Sequence, residues 1–235
     1  MNAKETNSRT SALIRRRFVQ VFIQFAAIGL ILFLAAGTVF WTWAWVYLTA
    51  GLAIMLLALP LLMKKNPEVI AERAQIKKDT KRFDRVFNLY STIITLAMLV
   101  FAGLDYRLGW SEGFPLLLHL AGLLLYLSGM GLFYWALISN KFFSRTVRIQ
   151  TERDHFVVNE GPYRYVRHPG YSGMILATIA TPLLLGSYWT LIPALLVSAG
   201  YLVRTHLEDR TLNEELNGYR EFCLSVRYRL LPGVW

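Results

Sequence analysis

The chain has 235 residues, of which 55% are hydrophobic and only 17% are charged, and its formal net charge is +10. A water-soluble domain of this length would carry more charge, and the charges here cluster between long apolar runs, so the composition indicates a polytopic integral membrane protein. The basic residues lie beside the apolar runs, where they would face membrane lipids, which argues against nucleic acid as a partner.

Six apolar runs predict about six transmembrane helices in an all-α fold. The first four are long enough to cross a hydrocarbon core of ~30 Å at about 1.5 Å per residue. The last two have 16 residues each and are separated only by Gly186 and Ser187, so we expect a helical hairpin over 171–203 that extends beyond the membrane at its Arg204 end. The six runs cover residues 18–40, 43–63, 86–106, 114–138, 171–186 and 188–203.

The lysines and arginines predict the orientation. Of the 25 such residues, 24 fall in the N-terminal tail, in 64–85, in 139–170 and from Arg204 onward, and only Arg107 lies elsewhere. With six crossings these four segments lie on one face, which the positive-inside rule makes cytoplasmic. We therefore expect both termini to lie in the cytoplasm. The membrane itself is expected to be a bacterial inner membrane.

The first apolar run is too long for a signal peptide and is expected to be a retained anchor. The chain is predicted to form a single membrane domain, 1–235, in which 18–138 are four N-terminal transmembrane helices. Within it, Asn66-Pro67-Glu68 is a helix-start signature with asparagine as the cap, and it predicts a short interfacial helix running to Lys77.

A first polar segment, residues 150–171, has a composition that a simple connector would not need. Gly161-Pro162 predicts a turn, and aromatic and cationic side chains crowd the residues from Tyr163 to His168. Pro169 is expected at the first position of the fifth apolar helix, whose free N–H groups would bind an anion readily, and Gly170 allows close backbone approach. The alternative is an interfacial loop of snorkelling side chains.

A second polar segment begins at Arg204. Arg204 and Glu208 are four residues apart and share a helix face, so they form either an ordinary ion pair or part of a site at the membrane edge. Asp209 and Glu215 are expected to be solvated, and His206 points away from the Arg204 face.

Several kinds of site are disfavoured. The lone His119 in the fourth apolar run is expected to be satisfied by a neighbouring helix. No grouping of histidine, aspartate and glutamate has metal-ligand spacing, and Cys223, the single cysteine, is expected to be a small apolar filler. There is no phosphate-binding loop, dinucleotide-binding glycine fingerprint or serine elbow.

Over about residues 140–235 the chain resembles the isoprenylcysteine carboxyl methyltransferases and their bacterial relatives. The motifs that carry the resemblance are the run from Gly161 to Tyr171, GPYRYVRHPGY, the pair Arg204-x3-Glu208, and the tail from Gly218-Tyr219 to Pro232. The resemblance implies that 140–235 form a catalytic region with a cytoplasmic pocket for S-adenosylmethionine, and that a lipophilic or lipidated acceptor enters from the bilayer.

The resemblance also implies roles for individual residues. Glu208 is expected to act in catalysis and cofactor binding, and Arg204 to act in catalysis by engaging the acceptor, as its substrate-binding residue. Gly170 stands where animal members often have serine. The cofactor-binding residues implied are Gln150, His155, Phe156, Val157, Val158, Tyr163, His168, Pro169, Gly170, Tyr171 and Glu208.

The expected reaction is carboxyl O-methylation, with methylation of a phospholipid amine as an alternative. A carboxylate is ionised at neutral pH and needs no general base, whereas an amine would need one, for which His168 or Glu208 could serve. Two other readings remain: an NADPH-dependent membrane reductase of the sterol reductase type, and a non-enzymatic protein that binds lipid headgroups.

Overall fold

The structure is a computed structural model that describes residues 3–75 and 80–235. Within these residues the regular elements are eight α-helices and two 3-10 turns, Thr151–Arg153 and Gly161–Arg164. The helices are α1 (Ala3–Ala36), α2 (Thr42–Lys65), α3 (Pro67–Glu72), α4 (Arg82–Leu108), α5 (Leu116–Ser139), α6 (Pro169–Leu185), α7 (Leu191–Glu215) and α8 (Tyr219–Ser225).

Four helices are long and apolar enough to cross a membrane, which agrees with a polytopic membrane fold. They are Thr10–Ala36 within α1, and the whole of α2, α4 and α5. They correspond to the first four predicted spans. The fifth and sixth predicted spans form α6, a shorter apolar helix, and the first part of α7. As expected, α7 continues past Arg204, to Glu215.

The polar segments meet at one end of the helices, which we call the basic end. Glu72, the last residue of α3, accepts a bond of 2.7 Å from Arg148 Nη2. Lys81, just before α4, pairs with Glu215 at the end of α7. At the opposite end, Ser187 Oγ donates to Asp105 Oδ2 at 2.5 Å, which joins the α6–α7 turn to the end of α4.

Glycines allow α5 and α6 to approach closely. A Cβ atom built on Gly129 would lie 2.6 Å from the backbone nitrogen of Ala177, and one on Gly173 would lie 2.5 Å from the carbonyl oxygen of Gly129. Small residues at such a contact let two membrane helices pack backbone against backbone. This contact fixes the start of α6 beside the end of α5.

The short helix after α2 differs from the prediction. It starts at Pro67 as predicted but ends at Glu72, and residues 76–79, which include the predicted end at Lys77, lie outside the described residues. Asn66 occupies the cap position, yet its side chain makes no cap bond. Instead its Nδ2 donates to the carbonyl oxygen of Ile138 at 2.5 Å. A long-range partner on α5 therefore replaces the local one.

His119 is satisfied by a neighbouring helix, as predicted. Its Nδ1 lies 2.9 Å from the carbonyl oxygen of Leu184 on α6, and its ring stacks on Trp43 with centroids 4.1 Å apart.

Candidate active site

The structure brings the two polar segments side by side at the basic end. The backbone N–H of Arg167 donates to the carbonyl oxygen of Tyr228 at 2.9 Å, and that of His168 donates to Arg229 at 2.9 Å. Pro169 follows as the first residue of α6, as predicted from its fixed φ. The Arg-His-Pro turn and the C-terminal tail therefore form one layer.

A buried carboxylate holds this layer to α7. Asp209, only 2% exposed, accepts hydrogen bonds from Arg167 Nε and Nη2 (2.8 and 3.1 Å), His168 Nε2 (3.1 Å), Arg229 Nε (2.8 Å) and the Tyr219 hydroxyl (2.9 Å). Burial alone would raise the pKa of Asp209, but these donors hold it well below its usual range. The expectation that Asp209 is solvated is wrong.

Above this layer lies a cavity of about 750 Å³, large enough for a cofactor and part of a second molecule. Most of the predicted site residues line it. They are His155, Phe156, Val157, Val158, Tyr163, His168, Gly170, Tyr171, Arg204 and Glu208.

Gln150 and Pro169, the two other predicted residues, lie behind the cavity wall. The Gln150 side chain donates to the carbonyl oxygen of Phe142 at 2.6 Å and accepts from Arg153 Nη1 at 2.7 Å. It thus ties together two ends of the loop that forms the wall. Pro169 is buried at the start of α6.

His155 is held in one tautomer and without charge. The backbone N–H of Gln150 donates to its Nδ1 at 3.2 Å, so the neutral ring carries its proton on Nε2. Burial, and then the cations of Arg148 and Arg153, lower the pKa of His155 to about 4. The ring packs on Phe142, with centroids 4.3 Å apart. This part of the wall therefore offers a neutral aromatic surface.

Glu208 lies on the cavity wall with one oxygen engaged. The Tyr171 hydroxyl donates to Glu208 Oε2. Glu208 is half-buried, and within the described chain its other oxygen has no hydrogen-bond donor. A carboxylate in this state can accept from a hydroxyl or an ammonium group of a ligand.

Arg204 finds its partner on another helix rather than on Glu208. Its Nη2 lies 2.8 Å from Asp84 Oδ1 of α4 and donates to the carbonyl oxygen of Arg145 at 2.9 Å. Asp84 is fully buried, and its other oxygen accepts from the backbone N–H of Val147 at 2.5 Å. Sequence reasoning missed Asp84, because 120 residues separate it from Arg204 and no local pattern links them.

The guanidinium of Arg204 stays available to a ligand. Its Cζ atom lies 4.7 Å from the ring centre of Phe87 and 5.3 Å from that of Tyr171. Its buried Nε has no hydrogen-bond partner among the described residues. A buried hydrogen-bond donor without a partner costs about 1–3 kcal/mol of free energy, so a ligand atom that accepts a hydrogen bond would be stabilised there.

The same cavity continues into the apolar interior of the helix bundle. Its far wall is mainly apolar and comes from α1, α2, α4, α5 and α7. Members of this wall include Phe25, Ile28, Leu48, Met55, Leu96, Leu99, Met130 and Val197. Arg204 therefore lies between a polar compartment at the basic end and an apolar compartment among the spanning helices.

Within the described parts of the chain, no group of three or more His, Cys, Asp or Glu side chains is placed to hold a metal ion.

Residues 121–214, which run from α5 through most of α7 and include Arg204 and Glu208, match the model of the isoprenylcysteine carboxyl methyltransferase family. A protein-S-isoprenylcysteine O-methyltransferase of Schizosaccharomyces pombe is 41% identical over 46 residues, 20% of each chain. A probable enzyme of the same name from Oryza sativa subsp. indica is 36% identical over 47 residues, 20% of this chain and 25% of the relative.

A longer match joins the chain to the uncharacterized protein YpbQ of Bacillus subtilis, 35% identical over 82 residues, which are 34% of this chain and 48% of that protein. The chain thus spans between a fifth and a half of the length of these relatives. The segment that matches the family model carries the Arg-His-Pro turn and the Arg204–Glu208 pair, and the likeness to the isoprenylcysteine carboxyl methyltransferase family rests on that segment.

Proposed function

We propose that this protein is a membrane methyltransferase that uses S-adenosylmethionine to methylate a lipophilic acceptor, with a carboxylate as the reacting group. One observation carries the proposal. A single cavity joins the predicted cofactor residues to the apolar interior of the spanning helices, and Arg204 lies where the two compartments meet. Such a cavity fits one polar and one lipophilic reactant held together.

The residues of the polar compartment fit the cofactor. Glu208 has a free oxygen for hydroxyl or ammonium groups, and Tyr171 orients that carboxylate. Tyr163 and His155 give an aromatic wall, and burial raises the pKa of Tyr163, so its hydroxyl stays neutral. When bound, S-adenosylmethionine would supply an electrophilic methyl group. We propose residues 140–235 as the region that forms this pocket.

Arg204 would position the acceptor. Its unpartnered Nε can donate to a carboxylate oxygen, while the contacts of its Nη2 with Asp84 and the Arg145 carbonyl fix its direction. A carboxylate needs no base at neutral pH. An amine would need one, and the Nε2 atom of His168 is already committed to Asp209. Of the two bases considered for an amine, Glu208 alone would remain, and it is assigned here to the cofactor. We therefore propose oxygen as the methylated atom, with the protein acting chiefly by alignment and exclusion of water.

The orientation is part of the proposal. We propose that both termini and the basic end face the cytoplasm of a bacterial inner membrane, because 24 of the 25 lysines and arginines lie in four sequence segments that six crossings would put on one side. Alkaline phosphatase fused after residue 235 should be inactive in a bacterial host, and the same enzyme fused in the 109–115 loop should be active. The reverse pattern would refute the orientation.

The central test uses the purified protein and membranes that contain it. Calorimetry should show binding of S-adenosylhomocysteine, and Glu208→Gln should weaken it at least about tenfold, which corresponds to loss of one charge-assisted bond. Glu214→Gln, an exposed carboxylate one turn or more along the same helix, is the matched control and should bind normally. Binding of NADPH instead would favour a reductase and refute the proposal.

Transfer is tested with a labelled methyl donor. Lipids extracted from the membranes should carry label that base releases as methanol, the signature of a carboxyl ester. Label that resists base would indicate an amine acceptor, and no label with intact S-adenosylhomocysteine binding would indicate a binding protein without this activity.

A further inference from the structure

Three arginines gather on the cavity wall at the basic end, apart from the predicted cofactor residues. Arg17 comes from α1, Arg73 follows α3 and Arg145 follows α5, and all three line the cavity. We call them the arginine triad. Residues from three separate parts of the chain therefore place three cations around one space.

Among the side chains described, those of residues 10–75 and 80–235, the triad has no carboxylate partner. Two arginines of the neighbouring loop do have one: Arg148 pairs with Glu72, and Arg153 with Glu68. The guanidinium of Arg73 instead lies 5.6 Å from the ring centre of Phe133 and 5.4 Å from that of Phe143. Aromatic faces stabilise a cation without neutralising it.

The three cations act on one another. Burial lowers the pKa of Arg73 below its usual range, and the charges of Arg17, Arg145 and Arg204 lower it further. Like charges held this close repel, and the repulsion falls when an anion binds between them. Arginine forks also match the planar oxygens of phosphate and carboxylate groups.

The cavity beside the triad opens toward apolar side chains of the spanning helices. Phe25 and Ile28 on α1 and Leu96 on α4 lie on the same wall, deeper in the bundle than Arg17. A ligand that fills both parts must have an acidic head and a hydrocarbon chain. A small free anion would satisfy only the triad.

We propose that Arg17, Arg73 and Arg145 form a binding site for the phosphate or carboxylate head of a lipid whose chain occupies the apolar part of the cavity. The site would make acidic lipids the class of molecule that enters the cavity. Only the further step, that such a lipid is the methyl acceptor, rests on the proposed function. The binding step itself is independent of methyl transfer.

The test is calorimetry on the full chain in a nonionic detergent, with dodecyl phosphate, dodecanoate, dodecylphosphocholine and inorganic phosphate as probes. Dodecyl phosphate or dodecanoate should bind at least about tenfold more tightly than dodecylphosphocholine or inorganic phosphate. Arg73→Gln and Arg17→Gln should each lose about tenfold in that affinity. Arg16→Gln, an exposed neighbour on α1, is the matched control and should change it less than about twofold.

Equal binding of all probes, or equal affinity in all three variants, would overturn the inference. Inorganic phosphate that binds as tightly as dodecyl phosphate would show a small-anion site and overturn the lipid part.

S-adenosylhomocysteine affinity is measured on the same samples. If Arg73→Gln does not fold, Arg17→Gln decides, and loss of lipid binding with normal S-adenosylhomocysteine binding supports the triad. Wild type that binds dodecyl phosphate but not S-adenosylhomocysteine would refute the proposed function alone.

Discussion

Replacement of Asp209 by asparagine should both destabilise the protein and weaken cofactor binding. The carboxylate accepts two bonds from Arg167 and one each from His168, Arg229 and Tyr219. Asparagine keeps the shape but removes the charge and points an NH2 group at these donors. Removal of one partner from a buried ion pair costs about 3–5 kcal/mol, which for a chain of this size lowers the Tm by on the order of 10 °C.

The assay is thermal unfolding in detergent, followed by S-adenosylhomocysteine calorimetry at a temperature where the variant is folded. Glu214→Gln breaks an exposed pair with Arg210 and should change stability by less than about 0.5 kcal/mol. Because the pKa of Asp209 is lowered by folding, its stabilisation is present above the ordinary carboxyl pKa of about 3.9 and disappears as pH falls further. An Asp209→Asn variant that melts within about 2 °C of wild type would refute the reasoning.

Three further changes test other parts of the structure. Asp84→Asn should misplace Arg204 and raise the KM for the methyl acceptor by about tenfold or more, with S-adenosylhomocysteine affinity unchanged. An equal weakening of acceptor use and of S-adenosylhomocysteine binding would contradict a positioning role. Gly129→Ala should overpack the α5–α6 contact and cost about 1–3 kcal/mol in a thermal melt, whereas Gly131→Ala, with its nearest neighbour atom at 3.9 Å, should not; similar melts would argue against close packing. His155 has a pKa of about 4 in the fold against about 6.5 in the unfolded chain, so stability should fall as pH drops from 6.5 to 4, and His155→Asn should flatten that part of the profile measured by Tm.

Features with a local physical cause could be predicted from the sequence. Long apolar runs predicted the four spanning helices, and Pro169 marked the start of α6 because its ring fixes φ. The pairing of the two polar segments also follows from the resemblance of both to one family. In each case the information lies within a few neighbouring residues or a known motif.

Features that depend on distant partners could not be predicted. Asp209 was expected to be solvated, yet its donors lie up to 42 residues away in the chain. Arg204 had a local candidate partner in Glu208 but pairs with Asp84 on α4. Asn66 likewise bonds to Ile138 rather than capping its own helix. Local propensity is a weak guide wherever tertiary contacts offer a stronger bond.

The bonds from Arg167 and His168 to the backbone of Tyr228 and Arg229 set an order of events during biosynthesis. About 60 residues must be translated after the Arg-His-Pro turn before its partners exist, and at about 5–20 residues per second this takes several seconds. The early helices can enter the membrane during that interval, but the polar compartment can close only after the tail has emerged from the ribosome. A nascent chain stalled near residue 220 should therefore be inserted and yet unable to retain the cofactor.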